Sequence, residues 1–193
     1  SAPGRHDTFL GTFDDVKKQN WYYDAVKFVY NADLFKGTSE NLFAPNALMT
    51  RGMLVTVLYR LEGRPVISAD TGFTDEDSGA YYAKAVAWAK ANGIVNGITS
   101  TTFAPNGSIT REQIAAILYR YANYKKYDTT ARISLNAYTD AGQISTYARE
   151  AMSWAVAAGL VNGRTASTLV PQGTATRAEV ATLLMRLAGE YGE

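Results

Sequence analysis

The 193-residue chain has no cysteine, which removes disulfide frameworks and thiolate metal sites together. Its one histidine, His6, sits in a polar N-terminal stretch, and no Ser–His arrangement stands out. No metal-ligand spacing is visible, and neither a metal nor a cofactor is expected. Spacing alone does not remove a glycosidase-like carboxylate pair, because acids such as Asp15 and Glu179 can meet in space. Yet every acid that can be placed recurs three times, as a repeated binding motif does and a single active site does not. The chain is therefore expected not to be an enzyme. No apolar run approaches the length of a membrane span, so no membrane insertion is expected. No secretory signal is visible, which leaves location open. An excess of one charge is also lacking. Nineteen Lys and Arg against 18 Asp and Glu leave a net charge of +1, which argues against a nucleic-acid partner held by bulk charge and leaves a local basic groove open.

What the chain does have is repetition. The segment from Phe13 to Arg60 aligns with Phe73 to Arg120 at a constant shift of 60 residues, and Tyr138 to Arg186 follows at a further 65 to 66. Phe13, Phe73 and Tyr138 open the units, and Asp15, Asp75 and Asp140 come two residues later. Phe28, Trp88 and Trp154 match, as do Gly37, Gly97 and Gly163, then Pro45, Pro105 and Pro171. The units run at about 9–63, 70–123 and 136–189 within one domain, 1–193. Each reads as helix, loop, helix. The first helices are predicted at about Tyr22 to Ala32, Tyr82 to Ala91 and Ala148 to Ala158, with stop signals at Asn92-Gly93 and Gly159. The second helices are predicted from the Thr-Arg pairs to about Leu61, Tyr121 and Leu187, with Phe43, Phe103 and Leu169 anchoring the loop between. Two short helices bury little alone. The fold expected is one mainly α domain in which the three helix-loop-helix units pack as a single-chain pseudo-threefold trimer around a shared core.

One feature of the second helices conflicts with helix stability. In Ser108 to Arg120, Thr110 is a good N-cap and Gln113 completes a capping box, yet Arg111 sits in the first turn, where the helix dipole disfavours a cation. The same misfit recurs as Thr50-Arg51 and Thr176-Arg177. The first turn of a helix carries unpaired N–H groups and a partial positive end, an anion site to which an arginine adds a planar fork suited to a carboxylate.

These motifs resemble the S-layer homology (SLH) domain family. The likeness rests on the FxD openings (Phe13 to Asp15, Phe73 to Asp75), the run from Ala85 to Gly97, the FAPN of Phe103 to Asn106 and the ITRE of Ile109 to Glu112. It recurs in the third unit as Trp154 to Gly163, Val170-Pro171 and the ATRAE of Ala175 to Glu179. The resemblance implies a three-repeat pseudo-trimer with ligand grooves between neighbouring units, anchoring a larger bacterial surface protein to the cell wall without covalent bonds. The implied ligand is a secondary cell-wall polysaccharide bearing pyruvate ketals on an amino sugar, N-acetylmannosamine. Its main ligand residues are implied to be Arg51, Arg111 and Arg177.

For the remaining candidates two readings stand side by side. Asp15, Asp75 and Asp140 either form Asx turns or accept from a sugar hydroxyl. Trp88 and Trp154 either pack in the core, the reading slightly favoured, or donate to the ligand. Tyr22, Tyr23, Tyr81, Tyr82 and Tyr147 are read as half-buried, with sugar stacking as the alternative. The glycines at 37, 97 and 163 serve a backbone turn. Gly52 and Met53 give no capping box, which leaves the helix start at Arg51 looser and its site the least defined, and if the Trp N–H serves the ligand, Phe28 makes the first unit weaker. The alternative function is a protein-docking or self-assembly module without carbohydrate binding. A closed pseudo-trimer satisfies its own core, so a monomer is expected.

Overall fold

A computed structural model describes residues 8–68 and 70–192; His6 lies outside them. Six α-helices occur among these residues, two per repeat. They are α1 (Tyr23–Asn31), α2 (Arg51–Leu61), α3 (Ala83–Ala91), α4 (Arg111–Tyr124), α5 (Arg149–Ala157) and α6 (Arg177–Tyr191). Two short 3-10 turns, Ala141–Gln143 and Thr146–Ala148, precede α5. The first helices stop where expected: Gly93 and Gly159 take the left-handed conformation just past the C-cap, and Asp33 does so in the first repeat. Helices α4 and α6 run three to four residues beyond the predicted ends, because Tyr121, Ala122 and Leu187 continue the buried face.

The second helix of each repeat packs on the first helix of the next: α2 on α3, α4 on α5 and α6 on α1, closing a ring. Short antiparallel bridges join the same partners just before the second helices, pairing Thr50 with Ser108, Thr110 with Thr174 and Leu48 with Thr176. Met49, Ile109 and Ala175, the residues between these bridges, are buried. One contiguous apolar core runs through all three repeats.

The loop between the helices explains the spacing of the motifs. Ala44, Ala104 and Val170 stand at φ +57°, +58° and +51°, a conformation costly for residues with a Cβ and most of all for a β-branched one. The repeated aspartate holds this geometry. The Asp15 carboxylate accepts from the N–H groups of Phe43 (2.9 Å) and Ala44 (2.8 Å), Asp75 from those of Phe103 and Ala104, and Asp140 from those of Leu169 and Val170. These clamps span 28 to 30 residues, so they are not local Asx turns, one of the two readings of these aspartates. Phe43, Phe103 and Leu169 are fully buried beside the clamp. The glycine of the turn is demanded by space: a Cβ on Gly97 would lie 2.5 Å from the Phe73 ring and 2.6 Å from the Thr99 carbonyl oxygen.

The clamp is acid-sensitive. The Asp140 carboxyl lies below its ordinary value of 3.8 because the Leu169 N–H, and then that of Val170, favour its ionised form against slight desolvation. For Asp75 burial alone would raise the value, but the N–H groups of Phe103 and Ala104 outweigh it. A carboxyl lowered by folding contributes stability that is present above its unfolded value and lost as pH falls through its folded one. The melting temperature, followed by circular dichroism, should therefore drop below about pH 4. Asp140→Asn should cost about 1 kcal/mol at neutral pH and flatten that drop.

Candidate functional site

The start of each second helix is docked into the next repeat. The N–H groups of Arg51 and Gly52 donate to the carbonyls of Gly107 and Pro105 at 2.9 and 2.8 Å. Those of Arg111 and Glu112 donate to Gly173 and Pro171, and those of Arg177 and Ala178 to Ala47 and Pro45. The threonine N-cap takes the next N–H, from Met53, Gln113 or Glu179. The first-turn N–H groups are thus used up within the protein, which corrects the expectation that they form an anion site: a ligand here must be held by side chains.

The arginine side chains continue the same docking. Each Nε–H donates to the carbonyl of the buried loop anchor in the next repeat: Arg51 to Phe103 at 2.8 Å, Arg111 to Leu169 at 2.8 Å and Arg177 to Phe43 at 2.9 Å. Arg111 also donates to the Asn162 carbonyl, and Arg177 to that of Lys36 at 2.8 Å. The Arg51 guanidinium lies 4.9 Å from the centre of the Phe103 ring, and that of Arg177 lies 4.8 Å from Phe43 and 5.2 Å from Phe35. Leu169 replaces the aromatic below Arg111. Arg51 is 6% exposed and Arg177 2%. Among the described residues no carboxylate lies within ion-pair distance of any of the three. Burial holds all three guanidinium groups below their ordinary value, yet arginine remains charged at any physiological pH. Carboxylates beyond ion-pair distance (Asp75 for Arg51, Glu179 and Asp140 for Arg111, Asp15 for Arg177) offset the cost of burying this charge only in part, and an incoming anion would offset more.

Each arginine opens onto a groove between repeats. The Arg51 groove is walled by Val95 to Ile98, Arg120 and Tyr147. The Arg111 groove is walled by Leu160 to Arg164, Arg186 and Trp21, and the Arg177 groove by Leu34 to Thr38, Arg60 and Tyr81. Their volumes of about 390, 260 and 490 Å³ suit a small ligand or part of a polymer. Every groove therefore takes its first arginine from one repeat, its wall and second arginine from the next, and an aromatic from the third.

The structure sorts the sequence candidates. Arg51, Arg111 and Arg177 each line a groove. Asp15, Asp75 and Asp140 line none of them and spend both carboxylate oxygens on the loop. Trp88 and Trp154, carried as possible ligand donors, are 2% and 0% exposed, pack on Tyr59 and Tyr119, and line no groove; helical spacing put them in the core. The Trp154 N–H donates to the Tyr191 hydroxyl. Tyr81 and Tyr147 are 59% and 54% exposed and not half-buried as anticipated, whereas Tyr22, Tyr23 and Tyr82 are buried. The missing capping box of the first repeat also falls elsewhere: Met53 lines the Arg177 groove, not that of Arg51. Glu179 and Asp15 share no groove: Asp15 holds its loop, and Glu179 lines the Arg111 groove bound to Thr176 and Arg164. Sequence reasoning missed Trp21, 67% exposed, and gave no role to Arg60, Arg120 and Arg186. Both sets had a signal: the aromatic follows the clamp aspartate by six or seven residues, and the arginine ends each repeat.

Among the described residues no helix is long and apolar enough to cross a membrane, and no group of three or more His, Cys, Asp or Glu could hold a metal ion. Three clefts are repeated around a ring, each lined by two arginines and an exposed aromatic. The S-layer homology domain model matches residues 12–52, 72–115 and 137–181, and the chain belongs to that family. Similar stretches occur in an endoglucanase of Bacillus sp. (strain KSM-635), 34% identical over 91% of this chain and 19% of that protein. They occur also in the surface-layer 125 kDa protein of Lysinibacillus sphaericus, 28% identical over 90% of this chain and 14% of that protein, and in a cellulosome-anchoring protein of Acetivibrio thermocellus, 32% identical over 56% of this chain and 25% of that protein. The chain thus spans a quarter or less of these relatives. What they share with it is a non-catalytic module for anchoring at the bacterial cell wall.

Arg177→Lys keeps the positive charge but removes the Nε–H that reaches Phe43. It should lower stability by about 1.5–3 kcal/mol in a denaturant titration. A variant as stable as the parent would mean that the inter-repeat bond contributes nothing.

Proposed function

We propose that this chain fastens a larger surface protein to the cell wall by holding an anionic secondary cell-wall polysaccharide, pyruvylated on an amino sugar, in its inter-repeat grooves. The observation that carries the reading is the set of three helix-start guanidinium groups, two buried and one part-buried, none within ion-pair distance of a carboxylate, each facing a groove with a second arginine. The Nε–H is spent on the loop carbonyl and holds the fork in place. The remaining N–H groups of the fork then meet a ketal carboxylate without further ordering of the side chain. Trp21, Tyr81 and Tyr147 offer flat faces for the apolar side of a sugar ring. The closed ring of equivalent contacts supports the single-chain pseudo-threefold trimer, and its completed core supports a monomer. Several grooves on one long polymer give avidity without tight binding at any one of them.

Calorimetric titration with purified wall polymer, with and without its pyruvate groups, tests the reading. Binding should require the ketal, weaken with salt and fall by at least about tenfold in Arg111→Ala and in Arg177→Ala, each checked for folding. A folded protein that ignores every wall polymer would sink the proposal and point to protein partners.

A separate optical test uses the three tryptophans. Trp88 and Trp154 are buried and Trp21 stands in the Arg111 groove, so collisional quenching by acrylamide reports mainly on Trp21. Polymer should protect that fluorescence in the parent and fail to do so in Arg111→Ala.

A further inference from the structure

The three grooves share a plan but not a charge. The residue after the helix-start arginine is Gly52, Glu112 or Ala178. Glu112 lines the Arg51 groove together with Arg120 and Tyr147. It is 5% exposed, and its carboxylate accepts from the Ser145 N–H at 2.9 Å and the Ser145 hydroxyl at 2.7 Å. Among the described residues no cation is paired with it. The Arg111 groove also contains an acid, Glu179, whose charge reaches Arg111, but Arg164 sits 3.1 Å from its Oε2, so three arginines line that groove against one acid, whereas two arginines face Glu112 in the Arg51 groove. In the Arg177 groove Met53 stands where the other repeats have Gln113 and Glu179, and no acid lines the wall beside Arg177 and Arg60.

We propose that Glu112 is a specificity-determining residue that makes the Arg51 groove the weak member of the set for anionic saccharides, so that the chain carries two strong anion grooves and not three. This rests on the reading of the grooves as sites for an anionic saccharide. A carboxylate fixed on the wall opposes the ligand carboxylate and cancels part of the field of Arg51 and Arg120, in a cleft where screening is weaker than in bulk water. The first and third repeats have no side chain that could do this. Gly52 meets the Pro105 carbonyl oxygen at 2.9 Å from an added Cβ, and Ala178 is fully buried.

The test uses one saccharide unit, the pyruvate ketal of methyl N-acetylmannosaminide, so that avidity plays no part. Calorimetry on the parent chain should count two strong sites. Arg111→Ala and Arg177→Ala should each remove one, and Arg51→Ala should leave both. Glu112→Gln keeps one oxygen for the Ser145 N–H, offers its NH2 to the Ser145 hydroxyl, which turns to accept, and removes the charge. It should strengthen the third site by about tenfold or more, and a further Arg51→Ala should abolish that gain. Three equal sites in the parent, or loss of a strong site in Arg51→Ala, overturn the proposal even if Glu112→Gln does not fold. So does a folded Glu112→Gln with unchanged binding. Absence of binding in parent and variants alike overturns the anionic-saccharide reading itself, an outcome distinct from binding at the wrong number of sites.

Discussion

The fold depends on one bond made three times: the arginine Nε–H at the start of a second helix donating to the carbonyl of the neighbouring repeat's buried loop residue. It joins repeats that are far apart in sequence, 134 residues in the case of Arg177 and Phe43. It needs a carbonyl aimed outward from a residue whose side chain points into the core. The left-handed residue and proline that follow make that geometry, and the aspartate carboxylate holds it. The FxD, FAP and TR motifs, scattered along the chain, are thus parts of one device, and each fails to make sense without the other two.

The same bond decides what the arginine is able to do. A free arginine on a helix start is a flexible cation that water solvates well. One fixed by its Nε and laid against phenylalanine has lost both its mobility and much of its water. The helix itself contributes little to this site directly, because its N–H groups are engaged by the next loop. The unfavourable placement against the helix dipole is tolerated because the docking contacts outnumber it.

Much of the architecture was legible in the sequence because it repeats. Helix starts were marked by threonine caps, helix stops by Gly93 and Gly159, and the buried anchors Phe43, Phe103 and Leu169 by their recurrence two residues before a proline in a loop rich in polar residues. The grooves were less legible, for a physical reason. Reading repeat by repeat treats each unit as owning a site, so the absent capping box at Met53 was charged against Arg51, whereas packing carries Met53 to Arg177. The aspartates misled in the same way: their partners lie 28 to 30 residues along, and no local turn rule reports such a distance. Trp88 and Trp154 had helical spacing in their favour as core residues, and their indole N–H groups drew more attention than the burial pattern warranted.

Because each groove takes parts from all three repeats, the repeat and the site are different units of inheritance. A substitution in one repeat does not degrade one site; it alters a fork in one groove, a wall in another or a platform in the third, according to its position. Drift after duplication therefore spreads through the set, and the grooves diverge by recombining small differences. A ring built this way acquires sites of graded character from repeats that have each changed only slightly.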